Sequence, residues 1–406
     1  MTESLVVPLS IEDCNIQSSH FVSPTKWHLA HTSWFFENFV LRPFLKSYRV
    51  FHPKFEYLFN SYYETVGNFS PKSERGILSR PPLAEVGEYR KHVTESVEKL
   101  LSESGSKMSE VLDIMALGIH HEQQHQELIL MDIKHVFASN PLRPAYLKPS
   151  FPRKSAQAAA ALTWTSFPSG RYEVGHRGNA FAFDNETPRH SVYVGAFALA
   201  SRLVTNGEYL RFIEDGGYEK SELWLSDGWN ELKGQPGKAP LYWETLEKKR
   251  MVMTLRGLEP LDENEPVCHV SYYEADAYAR WTGTRLPTEM EWEVAAQSLT
   301  HCQGNFLESG NFHPAASRSE PGTNLAIEQL WGDVWEWTRS AYAAYPGFRP
   351  SPGSLGEYNG KFMCNQMVLR GGAAITPISH MRTTYRNFYP PGARWQFSGI
   401  RLAEDR

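Results

Sequence analysis

The sequence predicts a multidomain α+β protein, with a helical bundle first and a mixed domain rich in irregular backbone after it. Three observations carry that reading. At 406 residues the chain is long enough for two or three domains. Apolar residues recur at helical spacing through the first 140 residues, and beyond a proline-rich stretch Gly and Pro become frequent while strand-like runs are brief.

The first helix is expected over Lys26 to Leu41, opening after Ser23-Pro24, with Trp27, His31, Trp34 and Leu41 on one stripe. A second is expected over Leu83 to Leu101. The third, Ser109 to about Phe137, carries Ile114, Leu117, His121, Gln124/His125, Leu128 and Met131 at three- and four-residue steps. Ser109-Glu110 offers it a capped start, and Asn140-Pro141 stops it. Together these form a small up-and-down bundle over residues 1–140. Residues 141–162, with Pro141, Pro144, Pro149, Pro152 and the run AQAAAAL, read as a linker. Residues 163–406 then form the second domain. HSVYVGAFALA and MVLRGG are its strand-like runs, and SYYEADAYARW and GTRLPTEMEWEVAAQ its expected helices. There is no internal repeat.

Composition removes several function classes. With 41 basic and 46 acidic residues interspersed, the net charge is −5, and no basic stripe offers itself to nucleic acid. Four cysteines without CxxC spacing fit a reducing, cytoplasmic location better than a disulfide framework. No apolar run is long enough to span a membrane, and the N-terminal residues lack the pattern of an export signal. The composition is compatible with a homo-oligomer. One oddity is left: aromatics make up 13% of the chain, beside 15 histidines.

The sharpest local signal is His121-Glu122-Gln123-Gln124-His125. Residues four apart on a helix differ by only about 40° around the axis, so both imidazoles leave one face, spaced to share a metal. That face is the apolar one. A buried polar group without a partner costs about 1 to 3 kcal/mol, which a metal would offset; two core histidines paired with other side chains are the alternative. The string also reads HExxH, the zinc-protease signature. However, Leu128 and Met131 stand where the extended pattern requires Gly and His, and no glutamate occurs between Glu127 and Glu173 to serve as a third ligand. The third ligand could instead come from the first helix, as His31, with His28 on a neighbouring stripe also open. Three imidazoles on one face of a metal leave adjacent positions free, a site that favours iron(II), dioxygen and an anionic co-substrate.

Residues 59–81 add Tyr62 and Tyr63, then Lys72, Arg75 and Arg80. A phenol is a protonated donor at neutral pH, suited to delivering a proton to a reduced oxygen species. The cations could hold a substrate carboxylate. Tyrosines in the core and a solvated basic loop are the alternative.

Three separated strings then resemble one family, the iron-dependent (EgtB-like) sulfoxide synthases of ergothioneine biosynthesis. KWHLAHTSWFFE at 26–37, residues 60–81 and HEQQHQELI at 121–129 resemble its DinB-like four-helix bundle. GTRLPTEMEWEVAA at 283–296, WGDVWEWTRSAY at 331–342, GEYNGKFMCNQMVLRGG at 356–372 and TYRNFYPPGARWQFSGIRLAED at 384–405 resemble its C-terminal C-type-lectin-like domain, of the formylglycine-generating-enzyme or sulfatase-modifying type. The resemblance implies Fe(II) held by His31, His121 and His125. It implies joining the sulfur of cysteine, or of γ-glutamylcysteine, to the imidazole C2 of hercynine (Nα-trimethylhistidine), with O2 consumed and a sulfoxide left. Tyr62 and Tyr63 match the tyrosine pair of the cysteine-using subgroup, as hydrogen-bonding and proton-delivering groups. Gln124, Asn387, Phe388 and Tyr389 fall on the hercynine-binding positions, where aromatic faces suit a quaternary ammonium.

Two departures qualify the resemblance. The family's Arg-x-x-Arg-Gly pair for the donor carboxylate reads Lys72-Ser-Glu-Arg75-Gly76 here, and Lys lacks the planar fork. Where the formylglycine-forming oxidases place a copper-binding cysteine, this chain reads His380-Met381-Arg382, so it is not expected to make formylglycine. Competing readings are a selenoneine synthase taking a selenosugar, and a non-catalytic DinB-like metal-binding protein. An ovothiol synthase of the bifunctional form would need a methyltransferase domain for which this length has no room.

Overall fold

The structure, a computed structural model, describes residues 1–103, 106–147, 158–234, 237–299, 302–317 and 327–406. Residues 148–157, which carry much of the expected linker, lie outside the described residues. The chain divides into two compact units, one of residues 1–147 with 351–358, the other of 148–350 with 359–406. Among the described residues no helix is long and apolar enough to cross a membrane.

In the first unit, helix α1 (Thr25–Phe36) starts directly after Pro24, whose extended backbone sets the entry. It continues as a π-helical turn, Glu37–Leu41, so the predicted span is helical but widens at its end. At that turn the buried Glu37 carboxylate accepts from Tyr48 Oη at 2.5 Å and Tyr89 Oη at 2.6 Å. Helices α2 (Phe55–Phe59), α3 (Leu83–Ser102) and α4 (Met108–Ser139) follow. The start expected at Ser109 is corrected: Lys107 precedes the helix, no side chain caps it, and Ser109 already sits inside the first turn. From there its backbone is helical and its hydroxyl cannot replace a residue outside the helix as cap. The far end falls at Asn140, extended as the residue before a proline must be.

The core of this unit is aromatic, built on Trp34, Phe35, Phe55, Phe59, Tyr63 and Tyr89. Helices α1 and α4 approach closely at Gly118, where a Cβ would lie 2.7 Å from Phe36 and 2.9 Å from Phe35. One turn further along α4 comes His121, so a side chain at 118 would lever the histidines of the two helices apart.

In the second unit, helices α5 (Tyr272–Trp281) and α6 (Glu289–Gln297) begin at reciprocal capping boxes, Ser271 with Glu274 and Thr288 with Glu291. A four-stranded sheet runs in the order Asn387–Tyr389, Met367–Arg370, Trp335–Ala341, Ser398–Gly399, with Asn387 opposite Leu369. Beneath it lies a buried ionic network. Arg370 Nη2 reaches Glu293 at 3.0 Å and Glu289 at 3.2 Å, while Arg386 Nε donates to Glu289 at 2.9 Å. Because Arg386 adjoins Asn387, the network fixes the strand that presents Asn387, Phe388 and Tyr389.

Candidate metal centre

His121 and His125 leave α4 on one face, as four-residue spacing requires, and His31 meets them from α1. Each offers a ring nitrogen, all within 4.8 Å of one another, the one such group of three among the described residues. His31 Nδ1 lies 2.6 Å from the Phe59 carbonyl oxygen. A carbonyl only accepts, so Nδ1 carries the proton and Nε2 keeps a lone pair. That lone pair faces His121 Nε2 at 3.2 Å. His121 Nδ1 is buried with no hydrogen-bond partner among the described residues. Nitrogen lone pairs gathered in a buried space, with one ring otherwise unpartnered, suit a cation. His28 does not join the three: it stands behind His125, with 2.8 Å between their Nδ1 atoms.

The surroundings are aromatic. Trp27 stacks on His31 at 4.5 Å between centroids, Trp34 stacks at 5.5 Å, and Phe35 lies 4.9 Å from His121. Desolvation in this shell holds all three imidazoles below their ordinary pKa, His121 at about 3, with mutual repulsion adding to the effect at His31 and His125. They are neutral at physiological pH. The metal-free protein should therefore weaken with acid. Below about pH 6.5 the unfolded histidines take up protons that the native ones refuse, so stability is full above that value and falls toward the low native pKa. Urea unfolding of metal-free protein should show a falling midpoint between about pH 6.5 and about pH 5, above the carboxylate range. A flat midpoint there would contradict burial of neutral rings.

Glu122, the would-be base of a zinc protease, is engaged elsewhere. Its Oε1 accepts from Thr2 Oγ1 at 2.5 Å and from Arg90 Nη2 at 3.0 Å.

Tyr62 and Tyr63 sit on a turn after α2 that Asn60 organises. Asn60 Oδ1 accepts from Tyr63 N at 3.1 Å, and its Nδ2 donates to the carbonyls of Tyr63 and Gly67 at 3.0 and 3.1 Å. The two rings stack at 4.8 Å. Tyr63 is fully buried, against Trp34 at 5.5 Å and Phe39 at 5.2 Å, whereas Tyr62 is partly exposed. Burial raises both phenol pKa values, so both remain protonated.

Tyr358 is not among the residues the sequence points to. Residues 351–358 belong with the helical unit. They are tied there by Glu357, whose carboxylate accepts from the backbone N–H groups of Glu64 and Thr65, each at 3.1 Å. Tyr358 thereby stands 5.7 Å from His121 and 6.3 Å from Tyr62, between centroids. The string GEYNGKFM is visible in the sequence, but nothing local in it points to a pairing some 290 residues away, the separation of Thr65 from Glu357.

Lys72 and Arg75 share a 3₁₀ helix, Lys72–Ile77, which Gln17 clamps through the Lys72 carbonyl at 2.8 Å and the Gly76 N–H at 2.6 Å. Lys72 is exposed. Arg75 is buried, with its guanidinium 3.3 Å over the Trp27 ring and Nη1 donating to Ser23 Oγ at 2.9 Å. Desolvation pulls Arg75 down to about 9, still cationic at neutral pH. Gln124, partly buried, precedes His125 on α4.

Asn387, Phe388 and Tyr389 are in the second unit, all partly buried. Phe388 stacks on Tyr342 at 4.1 Å and 10° between planes, and Tyr389 meets Trp395 edge-on at 5.3 Å.

Comparison with known proteins defines the class first. Residues 1–129 match the DinB superfamily and residues 151–406 the sulfatase-modifying factor enzyme 1-like domain, so this is a DinB-like helical unit joined to a sulfatase-modifying type α+β domain. The chain is 33% identical over 317 residues to hercynine oxygenase of Mycobacterium tuberculosis, covering 72% of this chain and 71% of that one. It is 30% identical over 419 residues to hercynine oxygenase of Mycolicibacterium thermoresistibile, covering 96% and 89%. Ergothioneine biosynthesis protein 1 of Schizosaccharomyces pombe matches at 30% over 237 residues, 55% of this chain and 28% of that one. The chain belongs to the hercynine oxygenase family.

Proposed function

We propose that this protein is a non-haem iron(II), O2-dependent sulfoxide synthase of ergothioneine biosynthesis. It joins the sulfur of cysteine, or of γ-glutamylcysteine, to the imidazole C2 of hercynine. The observation that carries the reading is the convergence of His31, His121 and His125, two helices apart in sequence, in a chain whose relatives are hercynine oxygenases. The overall change balances. One C–H and one S–H bond are lost, a C–S bond and an S–O bond form, and O2 supplies the sulfoxide oxygen while its other atom leaves as water. When bound at the three imidazoles, iron(II) supplies a redox-active Lewis acid with positions free for thiolate and dioxygen.

The chain's own residues do the rest. Trp27, Trp34 and Phe35 keep the histidine rings dry and oriented. Arg75, held over the Trp27 ring, and Lys72 meet the donor's carboxylate. Gln124 and Asn387 bond the imidazole or carboxylate of hercynine, and Phe388 and Tyr389 offer faces to its trimethylammonium group. Tyr62 holds the proton at its Oη, with Tyr63 stacked on its ring and the Tyr358 ring 6.3 Å away.

The tests are direct. Turnover under isotopically labelled dioxygen should place one labelled atom in the product; an unlabelled sulfoxide would overturn the O2-dependent reading. Tyr62→Phe should lower kcat by about a hundredfold, the low end for a lost proton donor, with metal affinity unchanged. Tyr63→Phe should cost less. Equal, negligible effects would remove the tyrosine pair from the chemistry.

A further inference from the structure

His28 and Asp132 form a polar pair beside the three imidazoles. Both are buried, on α1 and α4 respectively, with His28 Nε2 3.0 Å from Asp132 Oδ2 and His28 Nδ1 2.8 Å from His125 Nδ1. The same Asp132 oxygen accepts from the backbone N–H of Ser23 at 2.8 Å, which pins it in place just ahead of α1.

Hydrogen-bond bookkeeping along this row has one solution for neutral rings. A carboxylate only accepts, so His28 Nε2 must carry that ring's single proton. His28 Nδ1 is then a lone pair and can only accept. His125 Nδ1 must therefore carry the proton of its own ring and donate, which leaves His125 Nε2 as the free lone pair. His31 reaches the same tautomer through one carbonyl, whereas His121 Nδ1 has no such partner.

We propose that His28 and Asp132 are positioning residues, a carboxylate–imidazole–imidazole chain that fixes His125 as its Nδ1–H tautomer with Nε2 as the metal donor. The chain also increases the electron density of that donor, as partners behind a metal-bound histidine do elsewhere. The inference rests on the iron-centre reading above for its purpose, though not for the tautomer.

Co(II) titration of the full-length chain, followed by visible absorption, tests the purpose. His28→Ala should weaken Co(II) binding by about 10- to 100-fold. His28→Gln, whose amide oxygen can accept from His125 Nδ1–H, should recover most of that loss. Asp132→Asn, nearly isosteric, should fall between. If His28→Ala binds Co(II) as wild type does, or if His28→Gln is as weak as His28→Ala, the proposal is overturned and the row is only core packing. Nitrogen NMR of histidine-labelled, metal-free wild type tests the tautomer separately. The expected result is His125 protonated at Nδ1, and protonation at Nε2 would overturn the relay. Wild-type protein that binds no Co(II) yet keeps the Nδ1–H tautomer would refute the metal centre and leave the relay standing.

Discussion

Exchanging His121 for alanine should abolish stoichiometric Fe(II) binding and lower hercynine turnover by about a thousandfold or more, some 4 kcal/mol of lost transition-state stabilisation. Two imidazoles remain in that variant, but only His31 and His125 then face the site, and neither can supply a third donor. The fold should survive. His121 Nδ1 makes no hydrogen bond among the described residues, so removing the ring costs the fold at most the one contact of its Nε2 with His31 Nε2, at 3.2 Å. The loss is therefore expected in metal content, measured as iron per chain after anaerobic loading and desalting, and not in the helical signal. Retained stoichiometric iron would mean that the ligands are misassigned.

The largest effect on stability is expected at the opposite end of the chain, from Arg370→Met. Arg370 is fully buried; besides Glu289 and Glu293 it serves the carbonyls of Thr383 and Tyr385, at 3.2 and 3.1 Å. Methionine fills much of the volume but leaves Glu293 buried with its main cation gone, while Glu289 keeps Arg386. Breaking one side of a buried ion pair costs about 3 to 5 kcal/mol, because the partner charge stays desolvated. Arg370→Lys should recover only part, for lack of the planar fork that serves several acceptors at once. Urea unfolding checks this, and a loss below about 1 kcal/mol, the worth of an exposed pair, would show that the network is dispensable.

Legibility in the sequence followed the range of the interaction. The pairing of His121 with His125 was readable because helical periodicity is local, and α5 and α6 announce themselves through Ser271, Glu274, Thr288 and Glu291. The start of α4 is not legible locally, because a serine beside an acidic residue looks alike one position outside a helix or within its first turn. The approach of His31 depends on how α1 packs against α4, a tertiary fact that resemblance supplied and periodicity did not. His28 stayed open as a ligand for the same reason. It shares a helix with His31, and only the packing shows that it faces Asp132 and the back of His125. Tyr358 was beyond reach, since its place depends on residues 351–358 folding with a unit that begins at residue 1.

Sulfoxide synthesis on hercynine is read out by product mass. Protein loaded with Fe(II) is given hercynine and O2, with cysteine, γ-glutamylcysteine or a selenosugar supplied in parallel. With cysteine or γ-glutamylcysteine as donor, the expected product is a hercynine–sulfur adduct bearing one oxygen atom added from O2. Product from the selenosugar alone, or from no donor at all, would contradict that expectation.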